Sequence, residues 1–342
     1  MKILIISPTQ SGIGGVAQIV KNQINFLRKN GHEIDVISSE NTPIIPVKGL
    51  KNPSFMISSF IKTKFKKKYD IVHAHNPISG PAMNNIQGKK IISIWGIYEN
   101  QIEYLYGKKL GKISGDFERK VLSQADLITV ASINIKNYYQ KLGFDATYLP
   151  IGVELDSLPN HSKRVYDNQV IFVGRLQKEK GILELLKIIK EIPKEIHVLI
   201  VGSGPEEDKV KEIVKNSENL HYMGYLPREK IIPLMRGSDF LIQPSLIEGG
   251  LNTVIIEAMM CKTPVLLTKL EQYEEEIIHL ENAFCIEPGN SKELLESIKF
   301  LSSDKDLQKK LSSKAFVTVQ KFSLDNMNKK FLEIYENILK IK

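Results

Sequence analysis

Twelve short runs rich in β-branched and aliphatic residues recur along this 342-residue chain, separated by stretches of helical periodicity. The first six are expected as strands at Lys2–Ser7, Glu33–Ser38, Ile71–His75, Ile91–Ile94, Leu127–Ala131 and Thr147–Leu149. A second six follow at Val170–Val173, Val198–Val201, Leu220–Met223, Phe240–Gln243, Pro264–Leu267 and Phe284–Ile286. Between them, sets such as Val16, Ile19, Val20, Ile24 and Leu27 put apolar groups on one face at the 3.6-residue period. Strand–helix alternation implies a parallel sheet with helices on both faces, and here it occurs twice. One hydrophobic core seldom grows past about 250–300 residues, so length and alternation agree on two α/β domains. The polar, Pro-containing stretch "GVELDSLPNHSKRVYDNQ" separates the two series. The expected boundaries are 1–155 for the first domain, 156–168 for a linker and 169–321 for the second.

A hydrophobic content of 42% with 25% charged residues is that of an ordinary soluble globular chain. Runs such as Ile3-Leu4-Ile5-Ile6 and Val198-Leu199-Ile200-Val201 are too short to span a bilayer, and "MKILIISPTQ" lacks a secretory peptide's apolar core. The expected location is the cytoplasm. Cys261 and Cys285 lie in apolar segments without metal-ligand spacing and read as buried reduced thiols. The net charge of +8 is uneven: Lys62, Lys64, Lys66, Lys67 and Lys68 crowd "IKTKFKKKYD" beside Phe60, Ile61 and Phe65. Such a segment suits an anionic membrane surface, where each lysine is worth roughly 1 kcal/mol; a solvated helix end is the alternative. No helix-turn-helix, zinc-finger or RNA-binding aromatic signature accompanies the basic charge, which argues against nucleic acid.

In open α/β sheets ligands bind beyond the carboxyl ends of the strands, and four unusual segments begin there: "SPTQSGIGGVAQ", "GRLQKEKG", "GSGPEED" and "QPSLIEGG". In the first, Gly12, Gly14 and Gly15 let backbone N–H groups approach an anion at a helix start. Gly12-x-Gly14-x-x-Ala17 also fits a dinucleotide fingerprint formally, but Glu40 is a weak candidate for the acidic residue such a site needs. In the second, Arg175 and Lys180 sit between Gly174 and Gly181, two cations able to hold a diphosphate without a metal. The fourth leads into "PSLIEGGLNTVIIEAMMCKTPVLLT", with Glu248 before a Gly-Gly pair and Glu257 little more than a turn into a helix capped by Asn252 or Thr253. A carboxylate among Val254, Ile255, Ile256, Ala258 and Met259 needs donors, which ribose hydroxyls or a buried salt bridge would supply. Free N–H groups from Leu251 to Val254 suit a leaving phosphate, and Glu248 suits sugar hydroxyls. His73 and His75 end a strand; His75 is an acceptor-side candidate, with a hydrogen-bonded structural histidine as the plainer reading. Asp304-Lys305-Asp306 reads as charge at a helix start, and no metal site is expected.

In that order, "GGVAQ", "YDIVHAH", "VGRLQKEKGI", "VGSGPEE" and "SLIEGGLNTVIIEAMMCKTPV" resemble the GT-B-type retaining glycosyltransferases of family 4, over nearly the whole chain. The resemblance implies two facing Rossmann-like domains with parallel sheets. It also implies a final helix, within 322–342, that returns to the N-terminal, acceptor-side domain. A nucleotide-diphosphate sugar would bind mainly in the C-terminal domain, with no cofactor or metal, and be transferred to a glycan or lipid-linked acceptor. By likeness Arg175 and Lys180 hold the diphosphate, Glu257 the ribose and Glu248 the transferred sugar, while Gly14 and Gly15 face the phosphates. Gly174, Gly202, Gly204, Gly249, Gly250, Leu251, Asn252 and Thr253 complete the donor site, and "HYMGYLP", with Tyr225, lies near the base. The leaving phosphate itself would assist deprotonation of the acceptor. Three departures stand out: eight residues separate Glu248 from Glu257 where the family usually has seven, Trp95 replaces a common histidine, and Ile151 a common asparagine. A sugar-nucleotide epimerase or hydrolase, and a non-catalytic nucleotide-sugar-binding module, remain the alternatives.

Overall fold

The computed structural model describes all residues except 11–14, 48, 66–67, 155–158, 274 and 341–342. Each run expected as a strand forms one. In the first half these are β1 Lys2–Ile6, β2 Glu33–Ile37, β3 Lys68–His75, β4 Gln87–Ile94, β5 Leu127–Val130 and β6 Ala146–Tyr148. In the second they are β7 Gln169–Val173, β8 His197–Val201, β9 Leu220–Gly224, β10 Phe240–Gln243, β11 Val265–Thr268 and β12 Phe284–Ile286. β3 and β4 start earlier than their apolar runs because polar Lys68 pairs with Gln87 ahead of a register shift. All pairings are parallel, in two sheets ordered β2-β1-β3-β4-β5-β6 and β12-β11-β10-β7-β8-β9.

The chain divides into two compact units, Met1–Gly152 with Asp325–Lys342, and Val153–Leu324. Period-2 alternation sorts the strands of the first unit. Leu4, Ile6, Val72, Ala74, Ile92 and Ile94 share one core with Phe55, Met83, Val121, Leu122 and Tyr139. His73, His75 and Ser93 alternate with those residues and so occupy the opposite face. There they meet Gln23 of the helix Gly15–Lys29 and Tyr335 of the C-terminal helix Leu324–Lys340. The C-terminal helix buries Met327, Phe331, Ile334, Tyr335 and Ile338, the stripe its sequence periodicity offers.

In the second unit β7 and β10 are buried from end to end and β8 in all but His197, as a sheet covered by helices on both faces requires. Residues 159–168, part of the stretch expected as a linker, run along the helix Arg228–Arg236. Lys163 N donates to Pro233 O at 2.7 Å, Arg236 Nε to Pro159 O at 2.8 Å, and Arg164 pairs with Asp239 at 2.9 Å. Cys261 and Cys285 are buried thiols, and burial raises their pKa values to about 11 and about 12. Among the described residues no helix is long and apolar enough to cross a membrane.

Candidate active site

β7 and β10 are sheet neighbours, yet β8 and β9 extend to one side of them and β11 and β12 to the other. At such a switch point the chain turns to opposite sides of the sheet, and the carboxyl edge there is where open α/β sheets bind ligands. The loop after β7 carries Arg175 and Lys180; the loop after β10 carries Glu248 and leads into the helix Thr253–Met260. The two loops are laced together. A Cβ on Gly181, which has φ 72°, would lie 1.8 Å from Pro244 O, and Leu246 N donates to Glu179 O at 2.8 Å. Lys180 Nζ then reaches Glu248 Oε1 at 2.5 Å.

The same oxygen accepts from Ser245 Oγ at 2.8 Å and Asn252 Nδ2 at 3.1 Å, and Gln243 Nε2 in turn donates to Ser245 Oγ at 3.2 Å. Glu248 is therefore fixed by three donors on one oxygen and is largely buried. Asn252 does double duty, since its Oδ1 caps the following helix by accepting from Ile255 N at 3.1 Å. Ahead of that cap, between the two glutamates, Gly250 has φ 157°. Arg175 is exposed and forms no ion pair with the described residues.

Glu257 projects from the same helix, and its Oε1 accepts from Arg228 Nε at 2.6 Å, while Arg228 Nη2 donates to Glu154 O at 2.9 Å. Burial raises the Glu257 pKa, and the neighbouring guanidinium opposes that rise. One oxygen of this carboxylate is thus satisfied by a salt bridge, the alternative weighed beside ribose hydroxyls. Gly202 and Gly204 have a packing reason to be glycine. A Cβ would meet Gly174 O at 1.9 Å and Leu176 O at 2.5 Å, and both φ values, 142° and 159°, are in the region that disfavours side chains. A Cβ on Gly174 would touch only the Phe172 ring, at 3.7 Å. Tyr225 is exposed beyond β9, Leu251 is buried, and Thr253 begins the helix. Gly15 opens the first helix, whereas Gly12 and Gly14 lie outside the described residues.

The structure corrects the expectation for His75. Its ring is fully buried between Trp95, parallel within 2° at 5.9 Å between centroids, and His73 at 4.4 Å; Nε2 bonds Gln23 Oε1 at 3.0 Å. Burial lowers its pKa to about 3, so it is a neutral core residue rather than one presented to an acceptor. His73 bonds Tyr335 Oη at 2.6 Å and Ser93 Oγ at 2.7 Å. Strand alternation brings both histidines under two helices, one of them from the far end of the chain. In the basic segment, Lys62 Nζ is held by Asn41 O and by Asn41 Oδ1 at 3.0 Å, and Lys64 lies 5.4 Å above the Phe60 ring. Lys66 and Lys67 lie outside the described residues, and Lys68 begins β3. Asp304 Oδ1 caps the helix Lys305–Val319, accepting from Leu307 N at 2.8 Å.

Arg228, Ser245, Gln23 and Tyr335 were not legible as partners in the sequence, though two left a trace. A cation at the first position of a helix opposes the dipole and signals a nearby acid, as with Arg228. Gln23 interrupts the apolar face of Ile19, Val20, Ile24 and Leu27, which signals a buried polar contact.

Two family models match nearly the whole chain: Glycosyltransferase Family 4 over residues 13–157 and Glycosyl transferases group 1 over residues 156–317. A phosphatidyl-myo-inositol mannosyltransferase of Mycobacterium leprae is 20% identical over 99% of this chain and 97% of its own length. Among solved structures, sucrose-phosphate synthase from Thermosynechococcus elongatus superposes with a TM-score of 0.80 at 18% identity, covering 100% of both chains. The Anabaena HepE protein, solved in complex with UDP and glucose, superposes with a TM-score of 0.74 at 18% identity, covering 98% of this chain and 99% of that one. With two doubly wound parallel sheets and both halves matched, the chain belongs to the family 4 glycosyltransferases of group 1 and has their GT-B fold.

Proposed function

We propose that this glycosyltransferase moves a sugar from a nucleotide-diphosphate donor to a glycan or lipid-linked acceptor, with retention of configuration and without a metal. The observation that carries the reading is the Lys180–Glu248 pair, which joins two interlocked loops at the β7/β10 switch point, one of them also bearing Arg175. Glycosyl transfer needs the diphosphate leaving group stabilised, and preorganised cations beside it do this without reorganising during the reaction. Arg175 is open to solvent, and Lys180, on the same loop, is held by Glu248. Among the described residues the three side-chain donors to Glu248 use Oε1, which leaves Oε2 for a sugar hydroxyl. Gly174, which packing does not require to be glycine, lets a ligand approach the backbone. Within the Val153–Leu324 unit the remaining donor contacts are proposed for Gly202, Gly204, Tyr225 and residues 249–253. Glu257 is proposed for the ribose through the oxygen not bonded to Arg228.

The name of the mycobacterial relative and the UDP and glucose bound to the Anabaena protein support a nucleotide-sugar donor and a role in glycolipid or surface-polysaccharide assembly. The enzyme would then work in the cytoplasm, on the membrane face, with Lys62–Lys68 near anionic lipid. The test is product analysis with a panel of nucleotide sugars in the presence of chelator, repeated with Arg175→Ala and Lys180→Ala. Each variant should lower kcat/KM by about 100-fold, with unchanged circular dichroism. Equal turnover in both variants and the parent would remove the diphosphate assignment. Donor consumed without any glycosylated acceptor would instead favour a hydrolase or epimerase.

A further inference from the structure

The helix Tyr98–Tyr106 contributes no side chain to the core and lies against the helix Lys108–Leu122, the two joined at Gly107 with φ 89°. Its base is firmly mounted. Arg119 bridges Glu99 at 2.7 Å and Asp116 at 2.8 Å, Glu118 Oε1 accepts from Tyr98 N at 3.3 Å, and a Cβ on Gly111 would come within 2.6 Å of Glu103 Cβ. The second helix buries Gly111, Gly115, Glu118, Val121 and Leu122 and turns its other face outward. The hairpin tip consequently presents Tyr104, Leu105, Tyr106, Leu110 and Ile113, each between 41% and 57% exposed, within ten residues of chain. Isolated exposed apolar residues need no explanation, but five large ones on one rigid tip do.

The charge among them identifies the occupant. Residues 104–113, "YLYGKKLGKI", hold Lys108, Lys109 and Lys112 and no acid. A second copy of this chain would set three lysines against three, which like-charge repulsion opposes. An anionic bilayer offers both complements, phosphate groups for the ammonium heads and, roughly 5–10 Å deeper, an apolar layer for the side chains between them. Tyrosine is favoured at that depth because its ring is apolar and its hydroxyl wet. A second apolar stripe stands in the same helical layer. Ile57, Ile61 and Phe65, spaced by one helical turn, are exposed on the outer side of the helix Lys51–Thr63 and the turn after it, and the short helix Gly80–Met83 packs against both this helix and the hairpin.

We propose that the Tyr104–Ile113 tip docks this enzyme on an anionic lipid surface, with its leucine, isoleucine and tyrosine side chains in the headgroup region. The inference rests on the membrane-face placement proposed above and not on glycosyl transfer, and its test does not use activity. The full chain is cosedimented with vesicles of phosphatidylcholine alone and with about one-third phosphatidylglycerol, whose anionic charge supplies the electrostatic attraction. Binding should be confined to the anionic vesicles. Lys108→Glu/Lys109→Glu/Lys112→Glu should weaken it by on the order of 100-fold or more. Leu110→Ser/Ile113→Ser should weaken it about tenfold or more, and circular dichroism of both should match the parent. Phe65→Ser compares the neighbouring stripe. The proposal is overturned if the parent stays in the supernatant, if both tip variants bind like the parent, or if sedimentation velocity shows a dimer that Leu110→Ser/Ile113→Ser abolishes while vesicle binding is absent.

Discussion

Glu257 shows how a single residue type constrains chemistry without naming its partner. A carboxylate in an apolar helix must find a donor, and its neighbours along the chain leave few candidates. Arg228, 29 positions away, supplies it at 2.6 Å. Removing one member of a buried pair leaves the other uncompensated. A fully buried pair would lose about 3–5 kcal/mol, and because Arg228 is partly exposed the loss for Arg228→Ala should be about 2 kcal/mol. Urea denaturation of Arg228→Ala and of Arg228→Ala/Glu257→Gln checks this: the double variant should regain part of the loss. A single variant within about 0.5 kcal/mol of the parent would show the pair to be energetically idle. At His75 the same logic runs the other way, because a buried ring with a pKa near 3 carries no charge that needs a partner.

Among the elements, the Tyr98–Leu122 hairpin contains a carboxyl whose titration is moved to near neutral pH. Glu118 is buried at its base, and desolvation raises its pKa from 4.5 to about 7, partly offset by the N–H of Tyr98, which donates to it at 3.3 Å. A carboxyl whose folded pKa exceeds its unfolded value contributes its stability in full below about 4.5 and loses it as pH rises through about 7. The interval between the two values is worth about 3 kcal/mol. Glu118→Gln, which keeps the shape and cannot ionise, should therefore raise stability at pH 8 by up to about 3 kcal/mol and flatten the slope between pH 4.5 and 7. Denaturant midpoints across that range decide it, and parallel pH profiles for parent and variant would exclude the role. The helix Thr253–Met260 shows how far such an element is legible: its apolar run was readable and its cap narrowed to Asn252 or Thr253, but the choice of Asn252 and its bond to Glu248 came from the fold.

For the whole molecule, the telling feature is that the first unit is closed by the last helix. Met327, Phe331, Ile334, Tyr335 and Ile338 are buried there, and Tyr335 Oη serves both His73 and Gln23. At about 1.5–3 kcal/mol for each buried side chain, losing them removes on the order of 10 kcal/mol, comparable to the stability of a domain. A chain ending at Leu324 should therefore keep the calorimetric transition of the Val153–Leu324 unit and lose the cooperative transition of the other. Two transitions at unchanged temperatures would show that the helix is dispensable. A one-dimensional reading finds the amphipathic stripe of this helix but not what it covers, because the polar groups it satisfies, Gln23 and His73, lie near the opposite end of the chain.

What the sequence determined by itself was local: the twelve strands, the amphipathic helices between them, the helix caps and the loops rich in glycine and charge. Period and propensity act over a few residues, so these features survive without knowledge of the fold. The tertiary structure decided the pairings, Lys180 with Glu248 across 68 positions, Arg228 with Glu257 across 29 and His73 with Tyr335 across 262. Those depend on sheet order and on which loops leave neighbouring strands. Desolvation followed from the same packing, and it turned His75 from an acceptor-side candidate into a neutral residue of the core.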